Sequence, residues 1–146
     1  MSGDWDQQAW EEALIADMRE HDGRPTSGPL EGHPLLLMHV AGAKTGERRR
    51  AILTYSRDGD DYVVAGTAGG SPRDPAWLAN AQAHPDVEIE IGRRSFLATA
   101  SVAEGDERAR LWDQHVAALP WFADYPAQTG REIPMVRLSA KPGDAS

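Results

Sequence analysis

Residues 35–65 read LLLMHVAGAKTGERRRAILTYSRDGDDYVVA, and the short polar turns between apolar runs in this stretch predict three consecutive β-strands. The apolar run 35–40 is bounded by turn residues, which is typical of a buried strand. Residues 50–57 and 62–65 continue the strand pattern on either side of Asp-Gly-Asp at 58–60, a hairpin signal. Two hairpins in succession predict an antiparallel sheet.

The segment before this sheet predicts one helix and a linker. Trp10, Ala13, Leu14 and Met18 form an apolar stripe at helical spacing within 4–21, and Asp4 is the predicted helix cap. The Gly- and Pro-rich residues that follow cannot continue a helix. We therefore expect the helix to be only loosely docked.

The segment after the sheet predicts two helices and three strands. The element order α-β-β-β-α-β-β-α-β has too few crossovers for a parallel sheet, so we expect an α+β fold with an antiparallel barrel or sandwich and helices outside. Asp74 is the predicted cap of the second helix, with Pro75 at its first position. The predicted helices are 74–84 and 106–119, the strands are 87–91, 95–102 and 133–138, and residues 120–130 form an aromatic loop.

The composition excludes several classes of function. The formal net charge of −8 argues against nucleic acid as a partner, and the absence of cysteine excludes disulfides and thiolate sites. No apolar run approaches the ~20 residues of a membrane span, and the N-terminus lacks a signal-peptide pattern, so we expect a cytoplasmic protein. The acidic face of the first helix, with Glu11, Glu12 and Asp17, argues against membrane association.

Standard catalytic and metal-binding motifs are absent from the sequence. There is no dinucleotide-binding glycine motif, phosphate-binding Walker loop or nucleophile elbow. The five histidines lack metal-ligand spacing, so we expect no metal site and interpret them as surface or core-edge residues.

Three other segments are candidate ligand sites. Lys44, Gly46 and the arginines of 48–50 could form an anion-binding loop or a solvated hairpin. The glycine-rich residues 65–70 could admit a ligand or simply turn. The aromatic residues of 121–125 could wall a ring pocket or plug the core.

Taken in order, these segments resemble the deazaflavin-dependent nitroreductase family of actinobacteria. The match runs from about residue 35 to 138 and includes Gly-Ala-Lys-Thr-Gly at 42–46 and Pro-x-Trp-x-x-Asn at 75–80. It ends with Ala-Asp-Tyr at 123–125. The resemblance implies a split β-barrel of about six antiparallel strands over 35–139, preceded by the N-terminal helix and linker (1–34) and followed by a flexible tail (140–146).

The family resemblance also implies a cofactor, coenzyme F420, which is a 5-deazaflavin with a phosphate and an oligoglutamate tail. It implies hydride transfer to a small hydrophobic acceptor such as a quinone, nitroaromatic or enone, with Tyr125 as a hydrogen-bond donor and with Trp121 and Phe122 in the substrate pocket. The residues that match the family's cofactor-binding positions are Ala43, Lys44, Thr45, Arg49, Arg50, Ala51, Ile52, Leu53, Thr54, Ala65, Gly66, Thr67, Ala68, Ala76, Trp77, Leu78, Ala79 and Asn80.

The sequence departs from the family pattern at three positions: Ile52 replaces a proline, Ala68 a lysine, and Phe122 a tyrosine. We hypothesise that Arg50 supplies the charge of the missing lysine, and we expect Arg48 to be only solvated. Two alternatives stay open, a flavin mononucleotide (FMN) oxidoreductase on the same barrel and a non-catalytic protein that holds the cofactor or a lipid. Related split barrels often form dimers, so a homodimer is also open.

Overall fold

The computed structural model describes residues 7–26, 30–67, 73–130 and 132–141. In chain order, the elements in these ranges are α1 (Gln7–Glu20), β1 (Leu35–Ala41), β2 (Arg48–Asp58), β3 (Asp61–Ala65), α2 (Ala76–Ala83), β4 (Asp86–Ile91), β5 (Arg94–Val102), α3 (Gly105–Ala118), a 3-10 helix (Pro120–Asp124), α4 (Tyr125–Thr129) and β6 (Met135–Ala140).

The six strands form a closed antiparallel barrel in the order β1-β2-β3-β6-β5-β4. The barrel closes where β4 pairs with β1, with Met38 opposite Ile89. Strand β6 inserts between β3 and β5, and Val136 lies opposite both Val64 and Val102. This architecture confirms the predicted α+β fold, an antiparallel barrel of six strands with flanking helices.

Strand β1 is buried on both faces, which explains its uninterrupted apolar sequence. Leu36 and Met38 point into the barrel, whereas Leu35 and Leu37 pack outside it in a cluster with α1. All four side chains are at most 2% exposed. A strand with both faces covered carries apolar residues at consecutive positions instead of alternating ones.

Helices α2 and α3 and the 3-10 helix also cover the barrel. Helix α2 contributes Leu78 and Ala81 to the core inside the barrel. Helix α3 and the 3-10 helix pack on the outside, where Leu111 and Phe122 meet Met135 of β6. Burying each large apolar side chain contributes roughly 1.5–3 kcal/mol relative to leaving it exposed.

Helix α1 is docked more closely than its linker suggested. Ile15 and Met18 are 4% and 3% exposed and pack against β1. Trp10 and Ala13, which were predicted to lie on the apolar stripe, are exposed instead. The buried face of α1 is therefore rotated from the predicted one, and the two residues that are buried within 9–20 lie in the C-terminal half of the helix.

The start of the linker is fixed by a glycine. The N–H of Gly23 donates to the carbonyl oxygen of Met18 (2.8 Å), and its own carbonyl accepts from the N–H of Leu35 (3.1 Å). Gly23 has a φ of +84°, and a Cβ there would lie 2.7 Å from the carbonyl oxygen of Leu35. Only glycine satisfies both constraints, so the end of α1 is held against the first residue of β1.

Some predicted boundaries differ from the structure. Helix α2 begins at Ala76 with Pro75 as its N-cap residue, so Asp74 is not the cap. Residues 120–129 form the 3-10 helix and α4 instead of an aromatic loop, and both helices have a proline in their first turn. The predicted cap Asp4 lies outside the described residues.

No helix in the described ranges is long and apolar enough to cross a membrane. Within the same ranges, no group of three or more His, Cys, Asp or Glu side chains is arranged to hold a metal ion. The cytoplasmic location stays a prediction, as do the boundaries at residues 34 and 139.

Candidate functional site

A cleft of about 680 Å³ lies between the β1–β2 loop, the first residues of β2 and helix α2. Ten of the predicted cofactor-binding residues line it, together with two neighbours that were not predicted, Val40 and Gly42. The ten predicted lining residues are Ala43, Lys44, Thr45, Arg49, Arg50, Ala51, Ala76, Trp77, Ala79 and Asn80.

The loop that forms one wall of the cleft is a tight hairpin closed by its two glycines. The N–H of Gly42 donates to the carbonyl oxygen of Glu47 (2.7 Å), and the N–H of Gly46 donates to that of Gly42 (2.9 Å). Gly46 has a φ of +72°, a conformation that disfavours other residues. The Oγ1 of Thr45 accepts from the N–H of Glu47 (3.2 Å). These bonds present the side chain of Lys44 at the tip of the loop.

The opposite wall is tied to this loop by one hydrogen bond. The N–H of Ala43 donates to the Oδ1 of Asn80 on α2 at 2.9 Å. The two residues are 37 positions apart in sequence. Trp77 is half-buried on the same helix, packs against the barrel core and lines the cleft. The bond therefore fixes the separation between the basic loop and an aromatic wall.

The cations of the cleft differ in how far they are already neutralised. Lys44 has no acidic side chain within ion-pair distance in the part of the chain that the structure describes. Arg49 pairs with Glu47 (3.2 Å), and both side chains are more than half exposed. An exposed pair of this kind is worth roughly 0–1 kcal/mol, so Arg49 can exchange its partner for a ligand anion.

Of these cations, Arg50 forms the largest number of ion pairs within the described residues. Its Nη1 lies 2.7 Å from Oε1 of Glu12, and its Nη2 lies 3.4 Å from Oε1 of Glu11, both on α1. Hydrogen bonding to Glu12 raises the pKa of Arg50, and the charges of both carboxylates act in the same direction. In this structure the positive charge of Arg50 is therefore not free, because two carboxylates of α1 already contact it. A ligand anion would have to compete with them for Arg50.

Arg48 lies outside the cleft, as expected, but it is not merely solvated. It forms an ion pair with Glu88 of β4, whose other carboxylate oxygen accepts from the Oγ of Ser95 at 2.7 Å. These hydrogen bonds lower the pKa of Glu88. Arg48 thus links β2 to β4 on the outer surface of the barrel.

Four other predicted cofactor-binding residues lie away from the cleft lining. Leu53 and Leu78 pack in the core inside the barrel. Ile52 packs in the cluster beneath α1, and Thr54 lies opposite Leu35 in the β1–β2 ladder. The three residues of β2 follow its pleat, which directs alternate residues to opposite faces, whereas Leu78 is buried on α2.

The strand end after β3 lies beside the start of α2. Ala65 is buried, and the N–H of Gly66 donates to the carbonyl oxygen of Pro134 at 2.8 Å. A Cβ on Gly66 would lie 3.4 Å from the rings of Pro75 and Pro134. Thr67, half-buried, follows. The remainder of the predicted glycine-rich segment (Ala68, Gly69 and Gly70) lies outside the described residues.

The predicted substrate-binding aromatics form a cluster that does not line this cleft. Phe122 is 6% exposed and packs edge-on against His115 (4.5 Å) and Tyr125 (5.2 Å). Trp121 is 38% exposed and stacks on His33, with ring centroids 4.4 Å apart. The burial of Phe122 favours the alternative in which this segment plugs the core beneath α3.

His115 is fully buried, whereas the histidines were expected at the surface or core edge. Its Nδ1 lies 2.7 Å from the Oγ of Ser56, and its Nε2 has no hydrogen-bond partner within the described residues. Burial lowers the pKa of His115 to about 4, so the ring is neutral at pH 7. No local pattern distinguishes this histidine from an exposed one, because the contact with Ser56 spans 59 residues.

Comparison with known proteins identifies relatives of the whole domain. The family model described as F420H(2)-dependent quinone reductase matches residues 11–139. The chain is 39% identical over 135 residues to a protein of Mycobacterium tuberculosis (strain ATCC 25618 / H37Rv) named F420H(2)-dependent quinone reductase. The alignment covers 85% of this chain and 90% of that protein.

Two solved structures are also similar to this chain. A structure described as an F420-H2 dependent reductase has 33% sequence identity and a TM-score of 0.67, covering 73% of this chain and 94% of the other. A structure described as a domain-swapped dimer has 28% identity and a TM-score of 0.68, covering 92% of this chain and 100% of the other.

Proposed function

The chain belongs to the F420H(2)-dependent quinone reductase family, and from this membership we propose that it transfers a hydride from reduced coenzyme F420 to a quinone. We propose that the cofactor binds in the cleft between the β1–β2 loop and α2. The observation that carries this location is that the cleft gathers residues from two segments matching the family's cofactor-binding positions, joined by the bond from Ala43 to Asn80.

The residues of the cleft fit the chemistry of this cofactor. The phosphate and glutamates of F420 require cations. The cleft provides Lys44, which has no ionic partner among the described residues, and Arg49, whose exposed pair with Glu47 can be replaced by a ligand anion. Its volume of about 680 Å³ lies within the roughly 300–1,000 Å³ that is usual for small-molecule sites. The half-buried ring of Trp77 adds an apolar surface beside these charges.

Each residue has a separate task in the proposed mechanism. Lys44 and Arg49 bind the anionic tail, Arg49 through the planar fork of its guanidinium. Asn80 holds the loop at a fixed distance from α2, which lowers the entropic cost of ordering the site. The bound cofactor supplies the hydride. Positioning by the cleft makes the transfer effectively intramolecular.

The acceptor side of the reaction requires a donor for the oxygen that becomes negative during reduction. Tyr125 is the residue we propose for this role, on the basis of the family resemblance. Its ring is half-buried beside Phe122, outside the lining of the described cleft. The roles of Tyr125, Trp121 and Phe122 toward the acceptor stay predictions.

The decisive experiment is a titration of the purified protein with oxidised F420, followed by stopped-flow reduction of a quinone by the F420H2 complex. We expect micromolar or tighter binding, seen as quenching of deazaflavin fluorescence, and quinone-dependent reoxidation of the cofactor. Binding of FMN in place of F420 would contradict the assignment and favour a flavin enzyme. Tight F420 binding without hydride transfer to any quinone would favour a cofactor-holding protein.

A homodimer is a further part of the proposal, supported by the relative that is described as a domain-swapped dimer. Sedimentation velocity across a protein concentration series tests it directly. A single species with the mass of one 15.9 kDa chain at all concentrations would exclude the dimer.

A further inference from the structure

Arg50 is shared between two parts of the molecule. Its side chain lines the cleft, and its two terminal nitrogens contact two carboxylates of α1, Glu12 at 2.7 Å and Glu11 at 3.4 Å. The side chain is 34% exposed, so solvent and ligands can reach it. The chain thus places its own anions on a cation of the proposed cofactor site.

The rest of α1 is held independently of this contact. Ile15 and Met18 are buried against β1, and Arg19 pairs with Glu90 of β4 at 3.0 Å. These anchors lie in the C-terminal half of the helix. The Arg50 contacts lie one to two turns earlier, beside Trp10, whose ring is 40% exposed. Loss of the Arg50 contacts would therefore remove two ties between β2 and the N-terminal half of α1 while the helix stayed attached.

We propose that Glu11 and Glu12 act as internal anions that compete with the cofactor's phosphate and glutamate tail for Arg50, so that cofactor binding loosens the N-terminal half of α1. This inference rests on the proposed function. A carboxylate of the tail offers Arg50 the same partner that Glu12 provides, so the exchange conserves the type of contact.

The strength of the pairs makes such an exchange feasible. Exposed ion pairs contribute roughly 0.2–1 kcal/mol each, and salt screens them. A ligand with several negative charges gains Lys44 and Arg49 in the same event, which offsets the loss of two pairs. Because coupling between two equilibria is reciprocal, carboxylates that oppose the ligand are in turn displaced by it.

A set of charge-neutralising variants tests the competition. In E11Q/E12Q, both carboxylates become amides of nearly the same shape, and Arg50 is left for the ligand. The matched control is E20Q, which removes one negative charge from the same helix at a position with no described contact to Arg50. The single variant E12Q removes the shorter contact and provides a milder change if the double variant is poorly folded.

Two ligands separate the tail from the ring: oxidised F420 and the same deazaflavin without phosphate and glutamates. We expect E11Q/E12Q to lower the dissociation constant of F420 by about threefold to tenfold at low salt, and E12Q by about half that effect in free energy. The tailless deazaflavin should bind the wild type and both variants equally. E20Q should leave both affinities within about 1.5-fold of wild type, since its charge is distant and screened.

Hydrogen exchange provides a readout that does not depend on affinity. In the wild type, saturating F420 should increase exchange of the backbone amides in the first half of α1, and in E11Q/E12Q these amides should already exchange rapidly without ligand. Unchanged or weaker F420 binding in E11Q/E12Q, or increased protection of α1 on binding, would overturn the competition. Failure of the wild type to bind F420 would instead refute the proposed function.

Discussion

Acidification is expected to destabilise the fold through one buried side chain, His115. Burial holds its pKa at about 4 in the folded protein, whereas an unfolded histidine titrates near ~6.5. The unfolded chain therefore binds a proton that the folded chain excludes, and stability that is fully present above about pH 6.5 is lost as the pH falls toward 4. One pKa unit corresponds to ~1.36 kcal/mol, so the loss attributable to His115 is about 3 kcal/mol.

Urea unfolding at half-unit steps from pH 7.5 to 4.5 measures this loss in the wild type and in H115Q. Glutamine does not titrate and retains a group that can bond to Ser56, and the other titrating residues are common to both proteins. Below about pH 6, the wild type should lose about 1.4 kcal/mol more per pH unit than the variant. Parallel curves down to pH 4.5 would refute the reasoning, because they would require His115 to be protonated or hydrated in the folded state.

Three further predictions concern the site and the aromatic cluster. K44A/R49A should raise the F420 dissociation constant by about tenfold to a hundredfold, with a larger effect at low salt. R48A should leave it unchanged, because Arg48 forms its ion pair outside the cleft. Equal titration curves for the wild type and both variants would make the loop a plain hairpin. F122A should lower the unfolding free energy by about 3–5 kcal/mol in thermal and urea melts, because Phe122 is buried. Unaltered melts together with a higher KM for quinone would place Phe122 in the substrate pocket instead. Y125F should reduce kcat for quinone reduction by about tenfold to a hundredfold with the F420 affinity unchanged, and full activity would remove Tyr125 from the mechanism.

The barrel could be predicted because its local signals agree with one another. The apolar run of β1, the Asp-Gly-Asp hairpin and the alternating residues of β4 each point to a strand, and the structure contains all three. The buried face of helix α1 was harder to predict, because Leu14 and Met18 can share an apolar face with either Trp10 or Ile15. Only the position of β1 decides between these two faces.

The cleft was predictable in part for a similar reason. The hairpin from Gly42 to Glu47 is local, and its glycines and basic residues can be read directly from the sequence. The pairing of Arg50 with α1 spans 38 and 39 positions and depends on how a separate helix docks. No spacing rule connects such residues, so the sequence suggested a free cation where the fold supplies two carboxylates.

The closing of the barrel between β1 and β4 has a consequence for the lifetime of the protein. The walls of the cleft come from the β1–β2 loop and from α2, and α2 is held by Leu78 and Ala81 in the completed core. An unfolded chain therefore has no site, and a cofactor held in the cleft stabilises only the native state. Free cofactor at ~100 times its dissociation constant adds about 2.7 kcal/mol to the unfolding free energy. With the cofactor bound in the cleft as proposed, the supply of deazaflavin is expected to raise the resistance of this protein to proteolysis.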